Sequence, residues 1–205
     1  DMPVPKCDMA ITAEDAVAKA NQVGYPIVMK IVSPQILHKS DAGGVKVNIK
    51  NDEECKEAFE TIMANAKAYK ADAVLEGVVI QEMAPWGTEV ILGSVNDPTF
   101  GPSVMFGLGG IFVEVMKDVT FRVAPIQQKQ AMDMINEIKS APILKGTRGE
   151  EPKDVDALSK AIANYAQMIV DLADEVAESD ANPVIVYEEG DGVSVVDARI
   201  ILKKK

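Results

Sequence analysis

A chain of 205 residues, 47% of them apolar, can bury a core in one sizeable domain or two small subdomains, which excludes intrinsic disorder. Its formal charge of −11 argues against nucleic acid and anionic membrane as partners, because both reward a basic face through counterion release. Cys7 and Cys55 fall in no CxxC spacing, no run of about 18 apolar residues occurs, and residues 1–8 lack the features of a secretion signal, so a cytoplasmic protein without disulfide framework or zinc site is expected.

In chain order, Thr12 with Asp15 resembles a capping box and predicts a helix over Ala13–Val23, stopped by Gly24 with Pro26 beyond. A strand is expected over residues 25–32. After a polar loop and Gly43-Gly44, the alternation of Val45–Ile49 predicts a half-buried strand, and Asp52–Tyr69 a second helix. Residues 78–83, 88–95, 103–106 and 111–115 read as strands punctuated by Pro, Gly and Asp. Helices are predicted over residues 127–139 and 153–176. Two strands, 182–187 and 193–202, close the chain around the turn Glu188-Glu-Gly-Asp-Gly192. The mixture predicts an α+β fold with at least one antiparallel sheet.

Four features bear on chemistry. Lys30 lies in the apolar strand Ile27-Val-Met-Lys-Ile-Val32, where it either snorkels to water or offers its ammonium to a bound phosphate. His38 is the only histidine, in the loop Leu37-His-Lys-Ser-Asp-Ala-Gly-Gly-Val45; it is either solvated or a phosphoryl acceptor, with Lys39 supplying charge and small residues letting N–H groups approach an anion. Phe106-Gly-Leu-Gly-Gly110 is glycine-rich but lacks the Rossmann spacing, and no Walker A motif occurs anywhere. A four-residue loop over residues 188–191 would set Asn182 opposite Asp197 on one face of a hairpin, where an amide and a carboxylate oxygen suffice for Mg²⁺ completed by phosphate and water. A polar pair on a solvated face is the other reading, and a loop longer or shorter by one residue would separate the two side chains.

Taken together, Gly24-Tyr-Pro-Ile-Val-Met-Lys30, His38-Lys-Ser-Asp-Ala-Gly-Gly-Val45, Asp97-Pro-Thr-Phe-Gly-Pro102 leading to Phe106-Gly-Leu-Gly-Gly-Ile-Phe-Val-Glu114, Lys117-Asp-Val-Thr-Phe-Arg122 and Glu178-Ser-Asp-Ala-Asn-Pro183 resemble the ATP-grasp domain, or β subunit, of ADP-forming acetyl-CoA synthetases, relatives of succinyl-CoA synthetase. The likeness runs over nearly the whole chain. It implies an ATP-grasp fold whose two α+β subdomains, residues 10–80 and 81–205 in round numbers, hold ATP or ADP between them. By the same likeness Lys30, Lys39, Gly43 and Gly44 contact the nucleotide, Gln81, Glu82 and Met83 meet adenine largely through the backbone, and Glu89 binds ribose. Gly109, Gly110 and Glu114 lie near the transferred phosphoryl group, Asn182 and Asp197 hold Mg²⁺, and His38 is transiently phosphorylated. The implied partner is a CoA-binding α subunit in an α2β2 heterotetramer. Two departures stand out. Asn96 occupies a position where the family commonly has arginine, which opens a non-catalytic, nucleotide-binding or docking subunit as an alternative, and the sequence opens at Asp1-Met-Pro-Val-Pro5 where the family has a helix ahead of its Gly-Ile-Pro-Val segment, a helix that is either missing, supplied on another piece or removed. A carboxylate-activating amide ligase on the same fold is a third reading.

Overall fold

The computed structural model describes residues 2–110, 113, 116–147 and 149–204. Two units result: Pro5–Met83, and Asp1–Val4 with Ala84–Lys205.

The first unit runs β1 (Cys7–Ala10), α1 (Ala13–Val23), β2 (Ile27–Val32), β3 (Val45–Ile49), α2 (Asp52–Tyr69) and β4 (Gly77–Glu82). Its sheet has the order β1-β4-β2-β3, antiparallel throughout. Thr12 Oγ1 accepts the Asp15 N–H at 3.1 Å and Asn51 Oδ1 the Glu54 N–H at 2.9 Å, so both helices begin on a side-chain cap with acidic residues in the first turn. Ala16 and Ala20 of α1 and Cys55, Phe59, Ile62 and Ala66 of α2 recur at helical spacing and bury against Ile27, Met29, Ile31, Val78 and Ile80.

The second unit runs β5 (Thr88–Asp97), β6 (Gly101–Leu108), β7 (Val119–Val123), α3 (Gln128–Glu137), α4 (Ala141–Leu144), α5 (Val155–Asp171), β8 (Val176–Val186), β9 (Val193–Val195) and β10 (Ala198–Leu202). Its antiparallel sheet is ordered β10-β8-β5-β6-β7, with β9 also on β8. One face is covered by α3 and α5, whose Met134, Ile135, Leu158 and Ile162 pack with Val90, Leu92, Val104, Phe106 and Val184. Each such side chain contributes roughly 1.5–3 kcal/mol by leaving water. The alternate residues of β5, Glu89 and Ile91 among them, point to the other face.

Some boundaries differ from expectation, each for a physical reason. The helix expected over residues 153–176 stops at Asp171: the Leu172 N–H closes the last turn on Met168 O, and from Val176 onward the chain pairs with β5 and β10, so sheet pairing overrides the helical propensity of residues 172–176. The final strand is interrupted at residues 196–197. β1 and β7 were not expected; β1 has four residues, one of them buried, too few to register as alternation. Of the strand expected over residues 111–115, only Val113 is described. Among the described residues no helix is long and apolar enough to cross a membrane.

Candidate functional site

In the first unit β2 lies between β3 and β4, and Lys30 on it is 7% exposed, which sets aside the snorkelling reading. Val79 is opposite Lys30 and Gln81 opposite Val28, so Lys30 and Gln81 are diagonal neighbours; the Lys30 Nζ donates to Gln81 Oε1 at 3.1 Å. A buried ammonium is costly unless its surroundings repay it, and an anionic ligand does so most directly. Gln81 therefore meets Lys30 through its side chain. The Glu82 N–H donates to Lys6 O at 2.8 Å and the Met83 N–H to Pro26 O at 3.2 Å. These two N–H groups are thus engaged within the first unit, while a base met through the backbone has the carbonyl groups to use.

The loop from Ser33 to Gly44 presents His38 at the surface. Its glycines serve closure and packing: the Gly43 N–H donates to Ser40 O at 3.0 Å, the Gly44 N–H to Lys39 O at 2.8 Å, and the Ile31 N–H ties Gly44 O back to β2 at 2.8 Å. A Cβ on Gly44 would stand 2.5 Å from Ile31 Cγ2, and Gly43 has φ +59° with the Asn65 amide against it. Both N–H groups are therefore engaged within the loop itself. Lys39 is half-buried in this loop and the imidazole next to it is exposed.

In the second unit Glu89 is exposed on β5, and Gly109 lies opposite it, its N–H donating to Glu89 O at 2.8 Å. A Cβ on Gly109 would approach Glu89 to 3.1 Å, so the glycine permits this contact; Gly110, with φ +62°, turns the chain away. Glu114 lies outside the described residues.

Asn182 and Asp197 are brought together. The hairpin register Val186↔Val193, Ile185↔Ser194, Val184↔Val195 continues to an Asn182 N–H bond with Asp197 O at 2.9 Å. Toward β5 the register instead shifts between Val90 and Leu92, where Asn182 and Pro183 together face Ile91. The Asn182 N–H and Pro183 O both point to the β9–β10 side, so this is a bulge. Burial changes phase across it: Ser179 and Ala181 are buried before, Val184 and Val186 after, and Asn182 is exposed. Proline, with no N–H to donate, is suited to that position. Among the described residues no group of three or more His, Cys, Asp or Glu could hold a metal ion by itself. One amide oxygen and one carboxylate fit Mg²⁺, which keeps waters and takes phosphate oxygens as its remaining ligands.

Four further carboxylates were not singled out from the sequence. Asp180 pairs across the sheet with Arg199, Oδ1 to Nε at 2.8 Å, and Glu178 lies 3.8 Å from the same guanidinium; the hairpin register already aligns Asp180 with Arg199 and could have revealed them. Asp154 caps α5 through the Ala157 N–H at 2.9 Å and also accepts the N–H groups of Gly190 at 3.1 Å and Gly192 at 3.0 Å in the hairpin turn. The Ala157 bond, outweighing burial and aided by Gly192 and Gly190, holds its pKa below the usual carboxylate range. Asp118 is buried; burial alone would raise its pKa, but the Ser140 hydroxyl and the N–H groups of Lys139 and Ser140 lower it, and they anchor the start of β7 to the loop after α3. Asn96, the departure noted above, donates its amide to Ala173 O at 2.8 Å and so ties β5 to the end of α5.

Residues 1–202 match the family model described as an ATP-grasp domain. The chain is 57% identical over 201 residues to the β subunit of acetate–CoA ligase [ADP-forming] I of Pyrococcus furiosus, covering 98% of this chain and 85% of that one. It is 52% identical to the 4-hydroxybutyrate–CoA ligase [ADP-forming] of Nitrosopumilus maritimus over 97% of this chain and 28% of that much longer one. Among solved structures, acetyl-coenzyme A synthetase 1 of Ca. Korarchaeum cryptofilum, in complex with coenzyme A and Ca-AMPCP, superposes with a TM-score of 0.94 at 48% identity, over 98% of this chain and 87% of that one. The chain therefore belongs to the ATP-grasp domain family and, within it, to the family of β subunits of ADP-forming acetate–CoA ligases.

Proposed function

We propose that this chain is the nucleotide-binding subunit of an ADP-forming acyl-CoA synthetase acting on acetyl-CoA, and that it carries a phosphoryl group between a phosphohistidine and ADP. The observation that carries the reading is the Asn182–Asp197 pair, set opposite each other by the hairpin register and turned out of the core by the bulge at Pro183. An amide and a carboxylate so placed suit a nucleotide-bound cation better than a self-sufficient metal centre. Mg²⁺ held there would neutralise charge as two phosphates approach. Lys30, oriented by Gln81, binds a phosphate oxygen, Lys39 lends charge beside His38, and Glu89 accepts from a ribose hydroxyl. Gly109, Gly110 and Glu114 border the transferred group.

The partner is a CoA-binding α subunit, in an α2β2 assembly, that converts acyl-CoA and phosphate into free acid and CoA and passes on the phosphoryl group. At this chain His38 receives it. The ADP β-phosphate oxygen then attacks phosphorus, the N–P bond breaks, and the electron pair returns to the imidazole ring. A phosphorylated imidazole retains high transfer potential, so no large free-energy step is needed. The same domain occurs in ligases named for acetate and for 4-hydroxybutyrate, in keeping with acyl selection residing outside it.

The test is label transfer from γ-labelled ATP to this chain with the α subunit present. Acid-labile labelling of wild type and none of His38→Ala is expected; equal labelling of both would refute the role of His38.

A further inference from the structure

Glycine aside, only Asn48 and Lys117 among the described residues have a backbone in the left-handed region, with φ of 59° and 50°. Asparagine visits that region readily because its short amide side chain bonds locally; lysine has no such compensation and is strained there. Such strain persists only where the surrounding structure over-determines it. Asp118 supplies that constraint. Its buried carboxylate accepts from the Ser140 hydroxyl and from the N–H groups of Lys139 at 2.8 Å and Ser140 at 2.7 Å, and its carbonyl lies over Gly107, where a Cβ would stand 2.9 Å away. The Val119 N–H donates to Lys117 O at 3.1 Å. Lys117 is therefore an exposed residue on a backbone held from its C-terminal side. A lysine that only solvates a surface needs no such hold, and glycine would take the position without strain.

The position it holds faces the site already described. The β6–β7 ladder runs from Ser103↔Val123 to Gly107↔Val119, and continuing its count sets Lys117 beside Gly109, whose N–H in turn donates to Glu89 O. One step along the strands, Asn182, Ile91, Gly107 and Val119 form a row across β8, β5, β6 and β7. Three inter-strand spacings therefore separate the start of β7 from the candidate metal pair, about 14 Å. A four-carbon lysine stem covers roughly 6 Å of that distance. The rest is more than one phosphate wide, so an ammonium reaching in from Lys117 meets the far end of a phosphate chain that starts from the Asn182–Asp197 pair. Resting on the nucleotide-binding reading above, we infer that Lys117 binds the transferred phosphoryl group. Its ammonium neutralises charge on the outermost phosphate, and the Asp118 anchor fixes that charge in place before the group arrives.

The test sets affinity against stability. By calorimetry, Lys117→Gln is expected to weaken the imidodiphosphate analogue of MgATP about tenfold and to leave MgADP, which lacks the outermost phosphate, within about twofold. Lys117→Arg keeps the charge and holds the analogue within about threefold. Lys117→Gly removes the ammonium and the strain together, so it loses analogue affinity as Lys117→Gln does while its melting temperature rises by about 2–4 °C. A variant that binds the analogue less well and melts higher has not lost its fold. Analogue affinity within about twofold of wild type in both Lys117→Gln and Lys117→Gly overturns the role of Lys117 and leaves the nucleotide reading standing. An equal loss for MgADP overturns the assignment to the transferred group, and a Lys117→Gly chain no more stable than wild type overturns the strain argument. Binding of neither nucleotide by the wild-type chain overturns both readings.

Discussion

Removing the Asp154 carboxylate tests whether the hairpin that carries the candidate metal pair is held from its turn. In Asp154→Ala three N–H groups lose their acceptor: Ala157 at 2.9 Å, Gly190 at 3.1 Å and Gly192 at 3.0 Å. The first is an N-cap bond, worth about 1 kcal/mol. The other two donate to a charged oxygen but sit in a turn that water reaches, which leaves about 1 kcal/mol each. The sum, about 3 kcal/mol, lowers the melting temperature of a unit this size by roughly 10 °C. Asp154→Asn keeps one acceptor oxygen and loses about half as much. Urea denaturation followed by circular dichroism measures both variants, with an unchanged m-value identifying a native-state effect. The pH dependence supplies a sign. Because the folded pKa of Asp154 is depressed, its contribution is full above the unfolded value near 3.9 and is lost as pH falls through the lower folded value, so the gap between wild type and Asp154→Ala closes in acid. A variant within about 0.5 kcal/mol of wild type at neutral pH, or a gap that persists undiminished in acid, refutes the reasoning.

Lys30→Met keeps the bulk of the side chain and removes the ammonium that Gln81 orients, so nucleotide affinity by calorimetry is expected to fall tenfold or more, on the order of 1.4 kcal/mol, while the fold survives. Asp197→Asn and Asn182→Ala each weaken Mn²⁺ binding in the presence of ADP, read by electron paramagnetic resonance, and the double variant loses less than the two single losses together; independent, additive losses would place the cation elsewhere. Gly44→Ala inserts a methyl group 2.5 Å from Ile31 Cγ2 and 3.0 Å from Lys39 O, and overpacking costs about 1–3 kcal/mol in thermal unfolding.

Local signals carried much of the architecture. Thr12 with Asp15 marks a helix start because capping depends on residues three apart, and α1 begins where that pair places it; α2 begins at Asp52 as its pattern predicts, on a cap from Asn51 that the structure reveals. The turn Glu188–Gly192 sets the hairpin register by its length alone, and the alignment of Asn182 with Asp197 follows from counting. Nonlocal competition was harder to read. Residues 172–176 favour a helix when taken alone, and only pairing with β5 and β10 makes Val176 the start of a strand. Lys30 in an apolar strand admitted two readings until its burial and the position of Gln81, fifty-one residues later, were known. Gly43 and Gly44 signal close backbone approach in the sequence, but that the groups approaching from within the chain are Asn65 and Ile31 is a tertiary fact no local pattern carries.

Surface hairpin turns usually absorb insertions and deletions at little cost, because loop closure depends weakly on length. The turn at Glu188–Gly192 is different in kind. Any change of one residue between Pro183 and Val196 would move Asp197 relative to Asn182, and the bulge at Pro183 would have to shift with it to keep Val184 and Val186 in the core. Substitutions in this exposed stretch are therefore tolerable where changes of length are not, so relatives that keep Asn182 opposite Asp197 should vary here in residue identity and share one spacing.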